Sequence, residues 1–145
     1  FRPMAVERVI AHGEVIEFGG IELKVHEHPG HTPGSASYSM QVTEDGATYN
    51  VAIINMGTIN PGVSLLDQPS YPGIDNDFAL TFERQKAMNP DVWVSAHAGF
   101  YQLHQKYQPG QAYNPQTFYD PEGYLESITK FEKIYLEQRN EEAEQ

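Results

Sequence analysis

A layered α/β fold, with strands and helices segregated in the α+β manner, is predicted by three stretches of this 145-residue chain. Residues 21–26 alternate apolar and polar side chains at a period of two, the pattern of a strand with one covered face. Val51-Ala52-Ile53-Ile54 is apolar on both faces, which predicts a central strand covered by layers on both sides. Tyr124, Ile128, Phe131 and Tyr135 follow one another at helical spacing and predict the core stripe of a closing helix.

Taken in order, Phe1 to Met4 reads as a short lead-in and Val6 to Ile10 has strand character. His12-Gly13-Glu14 makes a turn, with His12 facing solvent at its tip, into a strand over Val15-Ile16-Glu17-Phe18. Gly19-Gly20 is a hairpin-type turn, and Asp45-Gly46 supplies a second one between Ala36–Thr43 and Tyr49–Asn55. Gly57 to Asn76 has two Pro-Gly breaks and no periodicity, so it is a long loop of the kind that carries function or moves. Asp75, Asn76 or Asp77 caps a helix running to about Met88, stopped by Asn89-Pro90, with Phe78, Phe82 and Met88 on its buried face. Val92-Trp93-Val94 is a short buried strand with His97 at its C-terminal end. Gly110 to Phe118 is irregular and aromatic. Asp120-Pro121-Glu122 then opens the last helix with a capping side chain, a proline at its first position and an early acid.

The length suits one ordinary domain, and 39% hydrophobic residues suit a packed core. A net charge of −11 argues against nucleic acid, whose phosphates need a basic face. Much of the acid lies between Glu132 and Glu144, where a solvated helix end accounts for it. With no cysteine, thiolate zinc sites and disulfides are excluded, and a metal would have to use His, Asp, Glu or water. No apolar run approaches the roughly 20 residues of a membrane span, and no signal peptide is visible at Phe1.

The chemistry centres on His28-Pro29-Gly30-His31-Thr32-Pro33-Gly34-Ser35. Two prolines and two glycines exclude helix and strand and hold His31 in the middle of a tight turn between two strands. A histidine fixed at a strand end is a common way to aim a metal ligand into a cleft, the alternative being a polar turn whose imidazole faces water. His26 and His28 form a His-x-His pair on one strand face, open to metal binding or to ordinary polar and supporting roles.

Gly30-His31-Thr32-Pro33-Gly34-Ser35 resembles the mid-chain zinc motif of the metallo-β-lactamase superfamily. The similarity continues through Ile53–Gly62, Val94-Ser95-Ala96-His97-Ala98-Gly99 and Tyr113-Asn114-Pro115-Gln116 to the last helix. It points to the third subclass of the true metallo-β-lactamases, nearest its GOB-type branch. The resemblance covers nearly the whole chain but only the C-terminal half of the family's domain. It implies that residues 1–145 form half of an αββα sandwich, and that the N-terminal half with its His-x-His-x-Asp-His motif is absent.

By that resemblance His31 and His97 are zinc ligands, one for each of two metal sites, with one or two zinc ions in the intact parent. Thr58 and Asn60 match positions that hold the substrate carboxylate, with a structural role in a Pro-Gly loop as the alternative. Tyr71, Phe100 and Tyr101 line the cleft or belong to the core. The implied chemistry is hydrolysis of a β-lactam amide by a metal-bound hydroxide, the zinc ion having lowered the pKa of its water to about 7. Thioester hydrolases such as glyoxalase II, lactonases and RNA-processing nucleases of the superfamily carry a bridging aspartate after the central strand. Here that position reads Asn55-Met56-Gly57, and a thioether cannot bridge two cations. Met56, where relatives of the third subclass place serine, is either a wall of the site or plain core. A noncatalytic domain that keeps the fold is the reading from a different class, since zinc needs about three protein ligands in a catalytic site and this chain offers one to each. The resemblance further implies a β-lactam substrate, a missing N-terminal half as partner, and a periplasmic or secreted location.

Overall fold

The computed structural model describes residues 5–144, so the expected lead-in at Phe1–Met4 lies outside the described residues. Five strands form one sheet: β1 (Val15–Phe18), β2 (Ile21–Glu27), β3 (Ala36–Glu44), β4 (Ala47–Ile54) and β5 (Val92–Ser95). They lie in the order β1-β2-β3-β4-β5. The first four pair antiparallel and β5 runs parallel to β4. The parallel step requires a crossover, supplied by helix α1 (Ile74–Met88). A short α2 (Leu103–Lys106), a 3₁₀ turn at Pro115–Phe118 and the long α3 (Pro121–Ala143) follow.

Both hairpin turns form as their sequences require. Gly19 and Gly20 have φ 59° and 83°, and Asp45 and Gly46 have φ 51° and 80°, the positive pairs of a tight two-residue turn. α3 opens as expected, with the Asp120 carboxylate accepting from the Gly123 N–H at 3.0 Å and Pro121 at the first position. Its stripe packs on α1: the Tyr135 ring lies 5.7 Å from both Phe78 and Phe82, and the Tyr124 hydroxyl donates to the Gln85 carbonyl at 2.7 Å. Trp93 from β5 completes this core.

Several expectations give way. Val6 to Ile10 is not a strand, because no neighbouring strand takes up its backbone groups; Val6 and Val9 stand in solvent. α1 is not capped by an acid. Gly73 at φ 89° takes the cap position, and the two acids of the first turn serve other partners. Asp75 receives Arg139 Nε at 2.8 Å and the Tyr135 hydroxyl at 2.8 Å, while Asp77 receives the Tyr71 hydroxyl at 2.9 Å. The acidic end of α3 is not solvated throughout. A Glu142 oxygen accepts from the backbone N–H groups of Leu65 and Leu66, both at 2.8 Å, and so ties the long loop to the helix.

The largest correction concerns β4. It is an interior strand, between β3 and β5, but only one of its faces is fully covered. Ala52 and Ile54 are 0% and 1% exposed against the helices, whereas Ile53 is 41% exposed. Register sets Val25, Tyr38, Ile53 and Val94 in one row of the other face and Met40, Val51 and Val92 in the next; Val25 is fully buried, and the others lie half-buried around the exposed Ile53. α1 and α3 both pack on the opposite face, through the side of β4 and β5 that holds Ala52, Ile54 and Trp93. A partly uncovered apolar sheet face, with Ile53 and Val42 in solvent, seeks cover. The 145-residue chain alone is therefore expected to self-associate and to bind a hydrophobic dye. A monomer by sedimentation that binds no dye and melts sharply would reject this. Among the described residues, no helix is long and apolar enough to cross a membrane.

Candidate metal centre

The topology gathers the candidate residues at one end of the sheet. β2 ends there and leads into the His28–Ser35 turn, β4 ends there before Asn55, and β5, parallel to β4, ends there before His97. The turn is closed by its own backbone, His28 N–H donating to the Ser35 carbonyl at 2.9 Å and Ser35 N–H to the Thr32 carbonyl at 3.2 Å.

His31 is held by a single clear device. Its Nδ1 lies 2.8 Å from the Thr58 carbonyl oxygen and 3.0 Å from the Thr58 hydroxyl. A carbonyl only accepts, so Nδ1 carries the proton and Nε2 is left with a bare lone pair. Zinc-ligating histidines are oriented in this way, by donating the far ring nitrogen to a carbonyl or carboxylate. Thr58, expected from the resemblance to meet a substrate carboxylate, thus has both of its oxygens on His31. The ligand role and the substrate role are compatible only if the hydroxyl is shared.

α1 forms the floor under both site loops. Phe78, Thr81, Phe82 and Gln85 lie at helical spacing on its buried face. The Thr81 hydroxyl donates to the Pro29 carbonyl at 2.5 Å, and Gln85 Nε2 donates to the Asn55 carbonyl at 2.7 Å. Gly30 and Gly57 approach so closely that a Cβ on either would lie 2.8 Å from the Phe78 or Phe82 ring respectively.

The other candidates divide. A cleft of about 130 Å³ is lined by His31, Thr58, Asn60 and Tyr71, among others, so the structure brings these four together. The Tyr71 hydroxyl is driven well above its ordinary pKa by burial and by its hydrogen bond to Asp77, and it stays a proton donor. His97 is exposed, its ring edge-on to Phe100 at 5.1 Å. Tyr101 packs edge-on to Trp93 at 6.2 Å, on the core side. Met56 is 3% exposed within the apolar cluster, so its thioether touches core.

His26 and His28, the tempting pair, are each engaged by a serine: His26 Nε2 with Ser39 Oγ at 2.7 Å, and His28 Nδ1 with Ser37 Oγ at 2.6 Å. Their rings stack at 6.1 Å. His28 is buried, and burial first, then the charges of His26, Arg84 and His12, push its imidazole down to about 3. Among the described residues, no three His, Asp or Glu side chains converge on a point that would hold a metal ion. Among the described residues the chain thus presents one imidazole, His31, whose Nδ1 is held by a carbonyl, and no closed metal site around it.

No protein-family model matches the chain. Solved structures do, and the fold they share is half of a metallo-β-lactamase fold. The match to GOB-18, a metallo-β-lactamase from Elizabethkingia meningoseptica, has a TM-score of 0.90 at 33% identity, covering 97% of this chain and 52% of that one. A β-lactamase from Chitinophaga pinensis matches with a TM-score of 0.88 at 37% identity over 95% of this chain and 52% of its own. The class B3 di-zinc metallo-β-lactamase LRA-12 from an Alaskan soil metagenome matches with a TM-score of 0.88 at 36% identity, over 95% and 52% respectively. The chain thus resembles the subclass B3 metallo-β-lactamases, and it spans about half the length of those it matches.

The sequence had marked His31 and His97. What it did not mark is Gln85, whose buried amide supports the Asn55 segment. Its only signal was position: seven residues after Phe78 and three after Phe82, on the apolar stripe.

Proposed function

We propose that this chain is the C-terminal half of a zinc-dependent β-lactamase and that it contributes His31 and His97 to metal binding when joined to its other half. The observation that carries this reading is the His31 imidazole, whose proton is committed to the Thr58 carbonyl and whose Nε2 is free. The match to class B3 enzymes over half their length supports it. In the joined protein a bound zinc ion supplies Lewis acidity and a water acidic enough to attack an amide at neutral pH. This chain's own part is to orient the His31 and His97 ring nitrogens and, through Asn60 at the cleft, to offer an amide donor to a substrate carboxylate. The partly open sheet face is where the missing half packs. A periplasmic or secreted location goes with this reading.

A second reading, a noncatalytic domain that keeps the fold, is favoured by the lack of three convergent ligands among the described residues. Two measurements test the first reading, and the second of them separates the two. The 145-residue chain with excess zinc is expected to show no turnover of a carbapenem or a cephalosporin; turnover abolished by chelator would mean that the ligand set has been misread. In the protein joined to its other half, His31→Ala and His97→Ala are each expected to lower zinc content per chain and to cut turnover at least 100-fold. Unchanged zinc content in both variants would leave the noncatalytic reading standing.

A further inference from the structure

One buried polar cluster lies next to the site, and its joint role has not entered the proposed function. His28, Ser37 and Gln85 are each at most 1% exposed. Ser37 Oγ accepts the Asn55 N–H at 2.9 Å and faces His28 Nδ1 at 2.6 Å. Gln85 Nε2 donates to the Asn55 carbonyl at 2.7 Å and lies 3.4 Å from the same His28 nitrogen. An amide NH2 only donates, so His28 Nδ1 is the acceptor and its proton sits on Nε2.

Asn55 therefore has both of its backbone polar groups held by buried side chains at the point where β4 ends. From there to the metal-facing histidine the path is short and stiff. Met56 is packed in the core, Gly57 lies against the Phe82 ring, and the Thr58 N–H donates to the Met56 carbonyl at 2.8 Å. The Thr58 carbonyl then takes the His31 Nδ1 proton. The cluster is a poor choice on stability grounds. His28 Nε2 and Gln85 Oε1 are buried without a hydrogen-bond partner, and each such group costs stability. Apolar side chains would fill the same space without that cost.

We propose that His28, Ser37 and Gln85 are positioning residues that set the tautomer and direction of His31 by locking Asn55 and, through it, the Thr58 carbonyl. This rests on the reading of His31 as a metal ligand. A neutral imidazole in water carries its proton mainly on Nε2, the nitrogen that must be bare to bind metal, so the tautomer is imposed by Thr58. A Thr58 carbonyl displaced by a slack Asn55 would release it.

The test is tautomer-resolved ¹⁵N spectroscopy of histidine- and tryptophan-labelled, metal-free 145-residue chain at pH 8. Unmutated chain is expected to show His31 as a single Nδ1–H form. Gln85→Met keeps the length and removes the amide, and Ser37→Ala removes one oxygen from a strand whose ladder is backbone-only. Both are expected to turn His31 into a tautomer mixture while the His97 and Trp93 signals, which report folding, stay in place. In the protein joined to its other half the same variants are expected to weaken zinc binding about 10–100-fold. A single Nδ1–H form of His31 retained in Ser37→Ala and in Gln85→Met would overturn the proposal. Variants that shift the tautomer in a joined protein that binds no zinc would leave the positioning role standing and remove the metal-ligand reading instead.

Discussion

Gly30→Ala is expected to destabilise the chain by about 2–5 kcal/mol and to free the His31 turn. Two costs add. Gly30 has φ 129°, where a side chain is strained, at about 1–2 kcal/mol. A Cβ there would also lie 2.8 Å from Phe78 Cδ1 and 2.9 Å from Cγ, atoms at the root of the ring that cannot swing aside. Overpacking of that kind adds about 1–3 kcal/mol. Gly110 is the control, with φ 88° and open space around its Cβ position; Gly110→Ala should incur the backbone cost alone. Chemical denaturation of the two variants measures the difference. Equal losses would mean that the turn does not rest on the Phe78 ring. Recovery of part of the Gly30→Ala loss by Phe78→Leu would show that it does.

Acid is expected to cost the fold about one proton's worth of stability between pH 6.5 and pH 3. In the folded chain the buried His28 imidazole, facing the like charges of His26, Arg84 and His12, is held down to about 3. In the unfolded chain it titrates near 6.5. Between those values the unfolded state binds the proton and the folded state does not, so stability is complete above pH 6.5. It is lost as pH falls toward 3, at roughly 1.4 kcal/mol per pH unit. The contribution of Glu142, whose carboxylate is pushed up by burial but held below its ordinary range by hydrogen bonds from Gln138, Leu66, Leu65 and Ser64, falls away over part of the same range. The comparison is therefore with His28→Gln, which carries no titrating group. Urea midpoints at pH 7, 6, 5 and 4 should fall less steeply in that variant, by the equivalent of one proton. Parallel slopes would mean that His28 takes up its proton in the folded state at its ordinary value.

The two predictions meet in the same turn, and they show how unevenly the site could be read in advance. His31 was legible because its neighbours are prolines and glycines, whose backbone limits are local and independent of the rest of the chain. The Asp120-Pro121 start of α3 and the Asp45-Gly46 turn were legible for the same reason, each being completed by atoms within four residues. The capping of α1 was misread because Asp75 and Asp77 look like caps to their own helix, while Arg139 and Tyr135 arrive from the far end of α3 to bind Asp75, and Tyr71, six residues before Asp77 in the preceding loop, binds Asp77.

By itself the sequence determined the strand-turn-strand frame, the helix stripes and the histidine at the strand end, because these depend on periodicity and on residues with restricted backbones. Only the tertiary structure decided that the face of β4 bearing Val51 and Ile53 is left partly open, since an apolar residue records that it wants cover and not whether cover is present. It alone decided that His28 is a buried support for Asn55 while His31 points its Nδ1 at the Thr58 carbonyl, although they stand three positions apart in one turn. A histidine's role is set by what faces its two nitrogens, here Ser37 and Gln85 for one and Thr58 for the other, and those partners come from 9 to 57 residues away.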